Sequence, residues 1–245
     1  MYSAADIKHN TERELQIAGF NKLINKLKNL LENPEAPFNH FDWKLDFPEV
    51  LNPYLVPDEK QRGFDIVIGN PPYGAKVNDS EKNYFQLNYK TAKTIKGIQK
   101  GSLDIYTLFI ELGHNICKKS GNLHYIVPIS ITSSDSVTGV HKLLEETCSL
   151  IKISSYAVRP EPVFENAVVN TSIIFFKKDL LPVKSILSTK MYRKKGELNL
   201  KYLLENLQFI NVLDVKLSGR YPKISLDIEK QILKKIFNQK IKIRV

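Results

Sequence analysis

The chain has little of what staples, bridges or anchors a fold from outside. Cys117 and Cys148 are its only cysteines in 245 residues, too few for a disulfide framework and without the paired spacing of a metal site. They read as reduced thiols. No apolar run approaches the roughly 20 residues of a membrane-spanning helix, and the opening residues do not read as a signal peptide. No membrane partner and a cytoplasmic location are therefore expected. No carboxylate cluster stands beside a lysine in a strand context, so no endonuclease centre is visible, and no metal is assigned. Negative charge is also short: 26 acidic residues face 36 basic ones, a formal charge of +10 with pI ≈ 9.4. That surplus suits a polyanionic partner, because lysine-rich surfaces gain affinity for phosphate backbones by releasing counterions.

What is present is enough apolar residue, 42%, for a proper core in one large domain or one and a half smaller ones. Phe20, Leu23, Ile24, Leu27, Leu30 and Leu31 fall at helical spacing, which predicts an amphipathic helix from Thr11 to about Asn33 that ends at Pro34 and Pro37. The aromatic and acidic stretch from Phe38 to Val50 follows. Its His40, Asp42, Asp46 and Glu49 match no ligand spacing, so a capped, packed connector is expected there.

The stretch Phe64-Asp65-Ile66-Val67-Ile68-Gly69-Asn70-Pro71-Pro72-Tyr73 organises the rest. Its first half is rich in β-branched residues and reads as a buried parallel strand covered on both faces. Pro71 and Pro72 lack amide hydrogens, so the ladder cannot pass them, and Asn70 is pushed toward an extended conformation. An amide, a free carbonyl and an aromatic ring are thereby presented at the carboxyl end of a strand, where open α/β sheets place their ligands. The exocyclic amine of a base or amide is a poor nucleophile because its lone pair is delocalised. The Asn70 oxygen and the Pro71 carbonyl can accept its two N–H groups, and Tyr73 offers a ring face for a flat base. A structural Pro-Pro turn closing a strand is the plain alternative.

Asn70-Pro71-Pro72-Tyr73 resembles the catalytic motif of the amino-methyltransferases that use S-adenosylmethionine. Its surroundings are similar to the adenine-specific DNA methyltransferases of the TaqI kind and to the fused type IIG restriction-modification enzymes. The segment ending in Phe47-Pro48-Glu49-Val50 resembles the one that precedes the catalytic strand in type IIG enzymes. Lys100-Gly101-Ser102-Leu103-Asp104-Ile105-Tyr106-Thr107-Leu108-Phe109 is similar to the helix after the catalytic loop, and Val163-Phe164-Glu165-Asn166-Ala167-Val168-Val169-Asn170-Thr171 to a later segment. The resemblance implies methyl transfer to the amine of a flipped adenine in double-stranded DNA, with Asn70, Pro71, Pro72 and Tyr73 catalytic and the base held between Tyr73 and Phe164. Extruding a base costs about a few kcal/mol, which stacking and hydrogen bonds help to offset.

Downstream, the pattern predicts a long basic loop carrying Lys76, Lys82, Lys90, Lys93, Lys96 and Lys100 among Tyr84, Phe85 and Tyr89, placed either to track a nucleic acid backbone or as a solvated insertion. Helices are expected over Leu103 to Lys119, with Ser102 as its cap, and over Val137 to Thr147. Strands are expected at Leu123 to Val127, Ile151 to Tyr156 and Thr171 to Phe176, giving a parallel sheet with a hairpin edge. Further helices are expected at Glu197 to Leu207 and Ser225 to Phe237.

The expected fold is α/β, a Rossmann-like S-adenosylmethionine-dependent methyltransferase fold that is incomplete. The expected organisation is an N-terminal helical segment at 1–37, the C-terminal half of the catalytic domain at 38–180, and the start of a target-recognition region at 181–245. The resemblance implies a glycine-rich turn for the cofactor, yet no Gly-x-Gly occurs anywhere, so the cofactor-binding residues are unknown and the first strands read as missing. An unpaired apolar edge would then invite a polypeptide supplying the missing half, or aggregation. Two rivals stay open: a methyltransferase acting on protein glutamine or ribosomal RNA, and a non-catalytic remnant that binds DNA or a partner subunit. Titration calorimetry of the isolated chain with S-adenosylmethionine is expected to show weak binding or none; a micromolar dissociation constant would contradict the incomplete cofactor site.

Overall fold

The computed structural model describes residues 41–74, 77–92, 104–162, 168–194 and 200–238, with scattered positions between 10 and 32. The chain divides into two units, Met1–Asp46 and Phe47–Val245. In the first, the described positions between 10 and 32 are helical, and Phe20, Ile24 and Leu27 of the expected stripe are exposed. The turn α1 (Trp43–Asp46) follows. Asp42 starts it by accepting from the Lys44 amide at 2.8 Å, while the Asp42 amide donates to Asp46 Oδ2 at 2.8 Å. Carboxylates here serve as caps, which is the connector role expected of them.

The second unit opens with α2 (Pro48–Leu51). Phe47 meets Phe64 edge to face at 5.3 Å, and the Gly63 amide donates to Val50 O at 3.0 Å. These contacts deliver the chain into β1 (Phe64–Gly69). Next come α3 (Asp79–Asn88), α4 (Ile105–Ile116), β2 (Cys117–Pro128), α5 (Thr138–Thr147), β3 (Cys148–Tyr156), β4 (Thr171–Lys178) and β5 (Ser185–Tyr192). The described part closes with α6 (Leu200–Glu205), β6 (Ile210–Asn211) and α7 (Asp227–Asn238).

The strands form one sheet in the order β1-β2-β4-β3-β5-β6. The β1–β2 and β3–β5 pairs are parallel, and β4 runs antiparallel to both β2 and β3. This corrects the expected hairpin edge: the antiparallel strand lies inside the sheet, and β5 and β6 extend it. Alternate buried side chains on one face of three neighbouring strands explain why β4 can be central. Ile174 and Phe176 are fully buried, as are Ile151 and Ile153 of β3 and Leu123 and Val127 of β2. The helices α4 and α5 add Tyr106, Ile110, Val140 and Leu144 to that same cluster. Gly113 lets α4 sit close on β2, because a Cβ there would lie 2.4 Å from Leu123 Cδ1 and 2.5 Å from Tyr125 Oη.

β1 is a correction too. It was expected to be covered on both faces, but Ile66 is 62% and Ile68 80% exposed, while Val67 packs on the core. Among the described residues β1 pairs only with β2, so it is an edge. The same open face continues over β2, β4 and β3, where His124, Phe175, Lys152 and Ile173 line a groove of about 350 Å³ that Leu204, Leu207 and Phe209 partly cover. The segment expected as a basic loop contains α3, started by a capping box in which Asn78 Oδ1 accepts from the Glu81 amide and Glu81 Oε2 from the Asn78 amide, both at 2.9 Å. Lys76, Lys93, Lys96 and Lys100 lie outside the described residues, as does Ser102.

At the amino edge of the sheet, Cys117 and Cys148 begin β2 and β3 and are both buried. Burial pushes both thiols up, that of Cys148 to about 12. Lys178, at the end of β4, donates to His114 O at 2.7 Å and Cys117 O at 2.6 Å, and burial lowers its pKa. The C-terminal part is held by ionic contacts: Lys216 to Glu145 at 2.8 Å, and Lys230 at 2.8 Å and Lys234 at 2.5 Å to Asp214. Hydrogen bonds from those last two lysines draw the Asp214 carboxyl down to about 2. Among the described residues no helix is long and apolar enough to cross a membrane.

Gly63 has φ +119° at the entry to β1, and a Cβ there would lie 2.5 Å from the Lys118 backbone nitrogen. Gly63→Ala is expected to cost about 1–3 kcal/mol from backbone strain alone, read as a lower urea midpoint; an unchanged midpoint would contradict this packing.

Candidate active site at the carboxyl edge of the sheet

Because β1, β2, β3 and β5 are mutually parallel, their carboxyl ends share one edge of the sheet. β1 stops at Gly69, level with Tyr125 of β2. A Cβ at Gly69 would come within 3.1 Å of the Tyr125 ring, so the small residue keeps the last rung of the ladder flat against its neighbour. Beyond it the side chains part company. Asn70 is exposed, Pro71 is buried, Pro72 is exposed and Tyr73 is half-buried against the main core. Among the described residues nothing hydrogen-bonds the Asn70 side-chain amide. A proline held inward beside a free amide is an acceptor-rich corner with no charge of its own.

Two sets of hydrogen bonds fasten α4 to its neighbours in the chain. Tyr106, fully buried in α4, shares a 2.8 Å hydrogen bond with Ser130 just past the end of β2. Burial drives the Tyr106 hydroxyl far above its ordinary range, so it acts as a neutral hydrogen-bonding group. Asp104 precedes α4, and its carbonyl accepts from the Thr107 amide at 3.0 Å and from Thr107 Oγ1 at 2.6 Å. Its half-buried carboxyl is pushed up by burial. On the other side, Glu111 receives the Lys90 amide at 3.0 Å and the Thr91 amide at 2.8 Å, fastening the chain after α3 to α4.

Asn170 was not singled out by sequence reasoning, although it lies inside the Val163–Thr171 motif. Its carbonyl accepts from the Ile129 amide and its Oδ1 from the Val158 amide, both at 2.9 Å. One residue thus ties the exits of β2 and β3 together. The available signal was an amide side chain immediately before a strand that begins with a buried threonine. Phe164 falls outside the described residues, so the structure brings Asn70, Pro71, Pro72 and Tyr73 together without describing the second expected wall. Among the described residues no group of three His, Cys, Asp or Glu side chains is placed to hold a metal.

A family model described as Eco57I restriction-modification methylase matches residues 3–164. The chain belongs to that family. Within it, the chain is 29% identical over 198 residues to the type II restriction enzyme and methyltransferase RM.Eco57I of Escherichia coli, covering 79% of this chain and 17% of that protein. It is 26% identical over 194 residues to the type II methyltransferase M.AccI of Acinetobacter calcoaceticus, covering 76% of this chain and 34% of that one. The chain therefore spans between about a sixth and a third of the length of these curated relatives. Among solved structures, a nuclease-deletion mutant of the type ISP restriction-modification enzyme LlaGI in complex with a DNA substrate mimic is 17% identical, with TM-score 0.48 over 69% of this chain and 19% of that one. Among the described residues, this family member carries a six-stranded mixed α/β sheet.

Glu111→Gln should weaken the two bonds that hold Lys90 and Thr91. Amide exchange at those two positions is expected to rise about tenfold, as for loss of about 1.4 kcal/mol of local protection; unchanged protection would remove Glu111 as the clamp.

Proposed function

We propose that this chain carries the catalytic corner of a DNA methyltransferase that modifies the exocyclic amine of adenine within a restriction-modification system. The observation that carries the reading is the free Asn70 amide beside the buried Pro71 at the carboxyl end of β1. Family membership supports it. The +10 charge suits duplex DNA as substrate.

In this reading Asn70 Oδ1 and the Pro71 carbonyl accept the two N–H groups of the target amine and draw its lone pair out of conjugation with the ring. S-adenosylmethionine, when bound, supplies an electrophilic sulfonium methyl. Asn70 and Pro71 would hold the amine nitrogen toward that methyl, and the proton the amine sheds on methylation would pass to water. No anionic base is needed at the corner, in keeping with the neutral groups there. Pro72 shapes the turn, and Tyr73 and Phe164 are the stacking walls for an extruded base. Asn170, Tyr106 and Ser130 act as positioning residues. No residue is assigned to the cofactor.

The domain assignment of 1–37, 38–180 and 181–245 is carried forward as part of this reading, as is a cytoplasmic location. A polypeptide that pairs with the open edge of β1 and covers Ile66 and Ile68 is the expected protein partner.

Transfer of labelled methyl from S-adenosylmethionine to adenine-containing duplex, measured with the family's cofactor-binding half supplied in trans, should fall about a hundredfold or more in Asn70→Ala. Duplex affinity should stay within about twofold of the parent. Persistent methylation would take Asn70 out of the mechanism.

A further inference from the structure

Resting on the DNA reading above, we infer that Arg159, Arg193 and Lys194 form a docking surface for the phosphate backbone of duplex DNA, on the same sheet edge as Asn70 but well away from it. The two exits that carry these residues follow β3 and β5, which are parallel and in register at Tyr156 and Tyr192. They are fastened to each other: the Ala157 amide donates to Tyr192 O at 2.9 Å, and Arg193 Nη1 donates to Arg159 O at 3.2 Å. Tyr156 and Tyr192 stack with centroids 6.2 Å apart directly beneath. The charges are therefore presented on a braced base, which limits the ordering cost of binding.

Among the described residues, the charge of the two arginines is also uncompensated. Arg159 and Arg193 are exposed, and the Arg159 guanidinium has no partner among the described residues. Guanidinium groups stay cationic and fit phosphate oxygens with paired donors. Lys194 is half-exposed and lies 3.7 Å from Glu161, the one carboxylate among the described residues of these two exits. The cluster keeps a surplus of two positive charges after that pair is set aside.

The sheet order supplies the spacing. Three strand intervals separate β1 from β3 and four separate it from β5, about 14 and 19 Å at the usual interstrand distance. A duplex lying along the edge rises about 3.4 Å per base pair, so the cluster meets phosphates about four to six base pairs from the base held at Asn70. Such contacts set register and orientation without reading sequence.

The test is fluorescence anisotropy of a labelled 30-base-pair duplex with the whole chain, titrated across a range of salt. R159A/R193A should lose about tenfold or more in affinity near 0.1 M salt, and the slope of log affinity against log salt should fall by about 1.8, for two phosphates released. K60A/K142A, which removes the same charge elsewhere, should keep the parent slope. Should R159A/R193A lose its native circular dichroism, Arg159→Gln, at an exposed side chain without a partner, should still lower the slope by about 0.9. Parent-like affinity and slope in the arginine variants, with the parent chain binding duplex, would overturn this surface and leave the methyltransferase reading standing. Failure of the parent chain to bind any duplex would overturn both. Arginine-dependent binding of single-stranded RNA in preference to duplex would overturn DNA as the occupant.

Discussion

The sheet holds together through β4, a strand that runs against its neighbours and pairs with both of them. It matches seven residues of β2 on one side and eight positions of β3 on the other. Without it no hydrogen-bonded ladder links the β1–β2 pair to the β3–β5 pair. Its direction has a second effect. Every parallel strand ends at the carboxyl edge, whereas β4 begins there, so Asn170 arrives beside the exits of β2 and β3 and can bond to both. The geometry of the carboxyl edge is thus a by-product of one reversed strand, and the buried Ile174 and Phe176 supply the apolar contact that keeps it in place.

Much of this was legible because the signals were local. The helices around Leu108 and Leu144 and the strands around Ile153 and Ile174 were placed to within three residues, since apolar period alone separates helix from strand there, while the strand around Leu123 begins six residues earlier than expected, at Cys117. Three features were not legible. The helix α3 has a polar sequence without an apolar stripe, and its strongest signal was the Asn78–Glu81 capping box, which a reading focused on lysines passes over. β5 alternates weakly through Ser188 and Thr189, hydroxyls buried by tertiary context rather than announced by hydrophobicity. The place of β4 inside the sheet is a pairing choice between distant segments, and no local pattern encodes it. For β1 the composition is that of a strand buried on both faces, and the exposure of Ile66 and Ile68 comes from the open face that β1 shares with β2, β4 and β3 among the described residues, not from its own sequence.

The corner itself was legible in outline. Two prolines in succession had to end β1, and they do so with one ring inside and one outside. The proposed chemistry rests on that alternation, since an inward proline removes a competing donor while, among the described residues, the preceding amide stays unbonded. The supporting residues were harder to see because their roles depend on partners 20 or more positions away: Tyr106 on Ser130, and Glu111 on Lys90 and Thr91. Family membership covers residues 3–164, a span that contains the corner and all of these braces.

The two thiols lie at the opposite edge of the sheet from this corner, at the first residues of β2 and β3, buried and with raised pKa. A protonated, enclosed sulfur is a poor nucleophile, so alkylating reagents meet neither one while the strands stay closed. Cys117 and Cys148 are accordingly a built-in clock for the opening of the sheet, one that can be read without disturbing the edge where the chemistry is placed.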